Sequence, residues 1–255
     1  MFRLEKNLTL FLCKFKELPV TNRKEKATLS INFPLNLKKL SSIILFAAIS
    51  LTLASDNNTA TSFVLPKITE SKRGPSWQES WSQKIFQEII TEKDHPLITT
   101  TIHSDDLKTF SCSNFNELAA EQKAAFWIVF FSALTKAESS FNPKARSKAP
   151  KGGHGNYGLL QLSKRTARDF CQLDETEENG FYSAENNLIC GIKLLSYQIQ
   201  GAPNKKGKLV RAKAKGRIFT SPIFFWGPLR AKDFKGKKRL MTWFNQQKDQ
   251  LPFCS

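Results

Sequence analysis

A mainly α-helical single domain, wrapped around one buried central helix, is the fold class the sequence predicts. Three observations predict it. "SWQESWSQKIFQEIITE" spaces Trp77, Trp81, Ile85 and Ile89 four residues apart, the single stripe of an amphipathic helix. "FNELAAEQKAAFWIVFFSALTKAES" is apolar nearly all round in its later half, as a helix in the middle of a domain must be. "SAENNLICGIKLLSYQIQ" puts Leu188, Ile192, Leu195 and Ile199 on one face behind Ser183, a residue suited to cap it.

The elements follow in chain order. Residues 1–34 lack an apolar period and are expected to be an extension that is untranslated or disordered. Residues 35–54 read as a signal peptide: two lysines, an apolar run from Ile43 to Ala54, and small residues at its end. That run is short of the roughly 20 residues a membrane span needs, and no Cys follows it for lipid attachment. An exported protein, periplasmic or secreted, with no stable membrane anchor is expected. Residues 55–75, rich in Ser, Thr, Asn and Lys, are read as a flexible leader, and 76–255 as the domain.

Within the domain, the Trp77 and Trp81 stripe is core rather than ligand platform, because it is shared with isoleucines. His95 to Ser113 reads as loop with a short strand. Asn116 is placed to cap the central helix, with Glu117 in its first turn. A Pro-, Gly- and Lys-rich loop, a helix near "KRTARDFCQL" and an acidic loop, "DETEENG", lead to the last periodic helix. There is no internal repeat.

Charge narrows the partners. The 255 residues carry a formal net charge of +17, and about +11 once the nine Lys/Arg and three Asp/Glu of residues 1–54 are removed. Residues 205–239 hold thirteen Lys/Arg against one acid, Asp233. Such density suits an anionic partner. In an exported chain this means envelope or wall polymers, and no nucleic acid. A monomer is expected.

Four cysteines remain beyond residue 54: Cys112, Cys171, Cys190 and Cys254. An even number in an exported protein indicates two disulfides, with three pairings possible. Cys171 with Cys190, tying the ends of a short excursion between helices, is the favoured pair. It leaves Cys112 with Cys254 to fasten the ends of the domain.

The chemistry lies at "AESSFNP", residues 137–143, where the apolar helix ends on Glu138. An ionised carboxylate is costly to bury, so such a group pairs or keeps its proton. A carboxyl that keeps its proton near neutral pH is a general acid. "GLLQLS", Gly158 to Ser163, follows about twenty residues later. With Ser139, Phe141, Pro143, Gly158, Leu159, Gln161, Leu162, Thr166 and Ala167 around Glu138, and Asn187, Leu188 and Gly191 further on, the chain resembles the soluble-type lytic transglycosylases. These are lysozyme-like enzymes among the family 23 glycosidases. The motif core spans about 115–197. The chain departs from the pattern at Leu160, where Met is usual, and near its end, where "FFWGPLR" stands in place of a tyrosine-bearing motif.

The resemblance implies a lysozyme-like α+β fold with a substrate cleft, and cleavage of peptidoglycan glycan between N-acetylmuramic acid and N-acetylglucosamine or its deacetylated form. Glu138 is the expected catalytic acid. Ser139 and Gln161 are expected to bind substrate or orient the acid, Gly158 to let backbone approach sugar, and Tyr157 and Trp226 to stack on sugar or pack in the core. His154 has no ligand-spaced partner, so neither metal nor cofactor is predicted. A transglycosylase needs no second carboxylate, whereas a hydrolase often uses one. Candidates are Asp105, Asp106, Asp169, Asp174, Glu175, Glu177, Glu178 and Glu185. The lyase is favoured over the hydrolase, and both over a non-catalytic wall or polyanion binder.

Overall fold

Residues 124–135 are buried without a break, and the domain is assembled around them. The computed structural model describes residues 63–69, 74–148, 155–174, 180–200, 202–203, 209–210, 216–219, 225–230 and 233–255. All fall in the second of two compact units, Thr59–Ser255. The expected extension, signal peptide and first part of the leader, together with His154, Glu175, Glu177 and Glu178, lie outside the described residues, as does much of 205–239.

The order is α1 (Glu79–Thr91), α2 (Pro96–Thr99), α3 (Ser104–Thr109), a 3-10 turn (Phe115–Glu117), α4 (Ala120–Ser139), β1 (Asn156–Tyr157), β2 (Leu162–Ser163), α5 (Lys164–Cys171), α6 (Ala184–Gln200), β3 (Ala202–Pro203), β4 (Leu209–Val210), a second 3-10 turn (Gly227–Leu229), α7 (Phe234–Gln246) and a last 3-10 turn (Lys248–Gln250). β1 pairs antiparallel with β2, and β3 with β4. The fold is mainly helical, as predicted, with α1, α2 and α7 packed on α4, and α6 packed on α1, α2 and α5.

Aromatic rings set the orientation of α4. Phe126 and Phe130 meet Phe110 edge-on at 5.5 and 5.8 Å between centroids, and Phe126 lies 5.5 Å from Phe244 of α7. Burying each such ring stabilises by roughly 1.5–3 kcal/mol, and the interlocked edges allow one rotation of the helix about its axis. That rotation determines where Glu138 faces.

Three expectations change. The stretch 95–113 contains two short helices and no strand. His95 and His103 cap them, their Nδ1 atoms accepting from the N–H groups of Leu97 and Asp105, and Pro96 supplies a helix-ready φ at the first position. Asn116 does not cap α4. Its side chain accepts from the Ile102 N–H and donates to the Ile102 carbonyl, while the Gln122 Oε1 accepts from the N–H of Ala119 at the head of α4.

The described part of the expected leader, residues 63–69, is laid against the domain. Ile68 is buried, Phe63 stacks on Phe86, and the N–H groups of Lys67 and Thr69 donate to Gln250 and Gln247. Finally, the end of the basic stretch is a packed helix. α7 begins at Asp233, whose carboxylate accepts from the Gly236 N–H at 2.8 Å, and it buries Gly236, Leu240 and Phe244, a spacing of four.

Disulfides join Cys112 to Cys254 and Cys171 to Cys190, the favoured pairing. The first lies in a zipper in which Asn114 donates to the Phe253 carbonyl and accepts from the Ser255 N–H. Among the described residues, no helix is long and apolar enough to cross a membrane.

Candidate active site

Glu138 lies in the last turn of α4, one residue inside its end. The helix stops through Ser140 and Phe141, both with left-handed backbone (φ 54° and 67°). For non-glycine residues each such conformation costs roughly 1–3 kcal/mol. Burial of Phe141, edge-on to Trp77 and Trp243 at 5.7 and 5.5 Å, offsets that cost. The Asn142 N–H then donates to the Ser139 carbonyl, and the Asn142 side chain accepts from the Lys144 N–H. A greasy helix thus ends on a carboxyl because Phe141, not the polar residues, anchors the turn.

Burial pushes the Glu138 carboxyl up to about 7 from the usual carboxylate range. The Arg239 guanidinium opposes the rise, Asp233 reinforces it, and Arg230 opposes it. Asp233 and Arg239 belong to no sequence pattern assigned to the site, whereas Arg230 ends the "FFWGPLR" stretch. Asp233 was the one acid in a basic run, and its signal was that of a cap: Asp, then Gly three residues on, then Leu240 and Phe244 at helical spacing.

The second motif forms a hairpin tied to the segment that follows this end, the Gly158 N–H donating to the Ala145 carbonyl. Asn187 on α6 is wholly buried and holds it: its Oδ1 accepts from the Leu160 N–H, and its Nδ2 donates to the carbonyls of Tyr157 and Phe181. Gly158, at φ 77°, has no room for a Cβ against Asn187 and the Phe181 carbonyl. The close approach it permits is to Asn187 and the Phe181 backbone. Gly191 leaves space for Leu160 in the same way.

The remaining expected contacts sort differently. Gln161 is 8% exposed, and its amide donates to the carbonyls of Ala145 and Gly158; it closes the turn that brings residue 145 against 158. Ser139 donates to the Thr135 carbonyl. Tyr157 is buried, packed on Phe181 and Tyr182, with the cations of Arg146 and Lys164 over its ring. Trp226 is 1% exposed and donates its indole N–H to the Leu160 carbonyl. Trp226 and Tyr157 are therefore core residues in this structure, because other side chains and backbone already occupy their rings. Tyr182, at the edge of the same cluster, is the exposed ring there.

Among the candidate second carboxylates, Asp105, Asp106 and Asp169 are engaged elsewhere. Asp106 is buried and accepts from the N–H groups of Ile218 and Phe219. Asp105 faces His103 and Arg217, and Asp169 pairs with Arg165 and Arg168 at the surface. Asp174 forms a backbone bridge to Gly180, and Glu185 opens α6. No cluster of His, Cys, Asp and Glu suited to a metal occurs among the described residues.

Residues 115–220 match the family model described as the Transglycosylase SLT domain. Its start coincides with that of the motif core, and it extends past residue 197. Among solved structures, "Bd0314 DslA wild-type form 2" superposes with a TM-score of 0.52 at 20% identity, covering 69% of this chain and 92% of that one. A Glu-to-Gln mutant of the same protein gives a TM-score of 0.52 at 18% identity over the same shares. At these identities the likeness speaks for the fold, which is lysozyme-like. No curated protein matches the chain.

Proposed function

We propose that this chain, an SLT-type protein whose transglycosylase domain is of a peptidoglycan-cleaving enzyme class, cuts the glycan between N-acetylmuramic acid and N-acetylglucosamine, or its deacetylated form, with Glu138 as sole general acid and base. One observation carries the reading: a carboxyl at the end of the buried helix that burial lifts to about 7. With an appreciable protonated fraction at neutral pH, it donates to the leaving glycosidic oxygen as oxocarbenium character develops on the muramyl sugar. The resulting carboxylate then takes the proton of that sugar's 6-hydroxyl as O6 closes on C1. The product is a 1,6-anhydro end, and the acid is regenerated.

Asn187, Gly158 and Gln161 act as scaffold in this reading, holding the hairpin against α6 and the segment that follows the acid. Ser139 orients the last turn. Two disulfides, which persist in oxidising compartments, support export. The basic surface within 205–239 meets anionic envelope polymers, and the protein acts as a monomer.

A second reading, hydrolysis, is favoured by Asp233, a carboxylate whose charge reaches Glu138. Two carboxyls roughly 6.5–9.5 Å apart would leave room for water. Mass spectrometry of digested sacculi separates the two: anhydro ends are expected, and wholly reducing ends would overturn the lyase in favour of the hydrolase. Glu138→Gln is expected to abolish either product while the chain still folds. Undiminished cleavage by that variant would remove Glu138 from its role.

A further inference from the structure

α7 opens on a charge pattern that works against its own stability. No acidic side chain stands in its first turn, which runs Phe234, Lys235, Gly236, Lys237, although the N-terminal end of a helix favours anions and disfavours cations. Lys238 and Arg239 follow directly. Lys237 lies over the Phe219 ring, its Nζ 4.0 Å from the centroid, whereas Lys235, Lys238 and Arg239 are exposed. Asp233, the one acid of residues 205–239, is committed to the Gly236 N–H as the helix cap. No salt bridge among the described residues engages Lys235 or Lys238.

Beside these cations stands an apolar ring in water. Phe234 is 79% exposed, about twice the exposure of Phe63, Phe170 or Tyr182. Phe234 and Lys238 are four residues apart, and Lys235 and Lys238 three, so they share the face of α7 that lies away from the buried Gly236, Leu240 and Phe244.

Size decides what such a face can meet. A ring of this kind covers roughly 150–250 Å², well short of the roughly 800 Å² per partner in a stable protein interface, and its neighbours on the face are charged. A soluble anionic polymer would engage the cations and leave the ring in water. An anionic bilayer serves both groups at once: headgroup phosphates take the ammonium and guanidinium groups, and the boundary between headgroups and acyl chains takes the ring.

We infer that the outer face of α7, Phe234 with Lys235, Lys238 and Arg239, is a docking surface for an anionic phospholipid bilayer. The attachment is peripheral and reversible, because one ring with a few cations gives a weak contact that salt screens. It stands apart from the cleavage reading and needs no role for Glu138.

Sedimentation of the full chain with vesicles tests it. The protein is expected to partition onto phosphatidylcholine vesicles containing about one-third phosphatidylglycerol, and to do so at least about tenfold more weakly on phosphatidylcholine alone. Lys235→Glu/Lys238→Glu is expected to lower partitioning onto the anionic vesicles by at least about tenfold. Phe234→Ser should lower it about tenfold, and Phe234→Trp should preserve it. These positions are exposed, so the variants keep the fold, and thermal melts that match wild type check this.

Phe234→Ser leaves every charge in place, and so it separates a bilayer from a soluble polyanion. Binding to inorganic polyphosphate should be the same for this variant and wild type. Wild-type protein that binds polyphosphate but no vesicle would make the face a polymer site and overturn the inference. Vesicle binding that Phe234→Ser leaves untouched would overturn it as well.

Discussion

The indole N–H of Trp226 donates to the carbonyl of Leu160 across 2.8 Å, joining the segment before α7 to the hairpin that carries the second motif. A ring committed in this way is 1% exposed and offers no face to a sugar. Trp226→Phe removes the donor and part of the volume, so a loss of about 1–3 kcal/mol is expected in urea denaturation. KM for glycan should stay unchanged. A raised KM with undiminished stability would instead make Trp226 a sugar-binding wall.

Glu138 predicts a pH dependence of stability. Its carboxyl holds a proton to about pH 7 when folded, against 4.5 ordinarily. Between those values the folded chain binds more protons than the unfolded one, so stability falls as pH rises through the window and levels off above it. Glu138→Gln should abolish the slope and exceed wild type at pH 8 by at most roughly 3 kcal/mol. Denaturation midpoints from pH 4 to 8 measure this, and parallel curves for the two proteins would contradict it.

The neighbouring charges predict the alkaline limb of activity. With Glu138 as the acid, the rate falls above about pH 7. Asp233→Asn relieves repulsion and should move the limb to lower pH. Arg239→Gln removes an opposing cation and should move it higher. Asn caps helices as well as Asp does, so the first variant should lose less than about 0.5 kcal/mol of stability. Coincident pH–rate profiles would separate these groups from the acid.

Gly158→Ala should cost roughly 2–4 kcal/mol, since the left-handed φ is unfavourable to any side chain and the Cβ would collide with Asn187. A thermal melt reads it directly. A variant with wild-type stability but impaired cleavage would restore Gly158 to a role at the sugar.

The two crosslinks should differ in weight. Cys112–Cys254 spans 142 residues of sequence and Cys171–Cys190 spans 19. Removing the first by paired Cys→Ser substitution should cost about 4–5 kcal/mol and the second about 3 kcal/mol, if stabilisation follows loop closure in the unfolded chain. Equal losses in urea denaturation would contradict that ordering.

Local pattern carried the helical part of the fold. The stripe of Trp81, Ile85 and Ile89, the unbroken apolar run before Glu138, and the face of Leu188, Ile192, Leu195 and Ile199 are buried as their spacing requires, because periodicity records which side of a helix meets the core. The Asn116 contacts and the packing of residues 63–69 were not legible in the sequence because capping and order depend on partners outside the local segment, Ile102 in one case and Gln247 and Gln250 in the other.

The sequence by itself determined that a carboxyl ends the most apolar helix, and that a glycine-bearing turn follows at a spacing suggestive of one site. Only the tertiary structure decided what surrounds that carboxyl. Asp233, Arg230 and Arg239 stand about a hundred residues away along the chain, and the packing of α7 on α4 carries their charge to Glu138. Proton affinity is a property of burial and neighbouring charge, and neither is written in the residues adjacent to the acid.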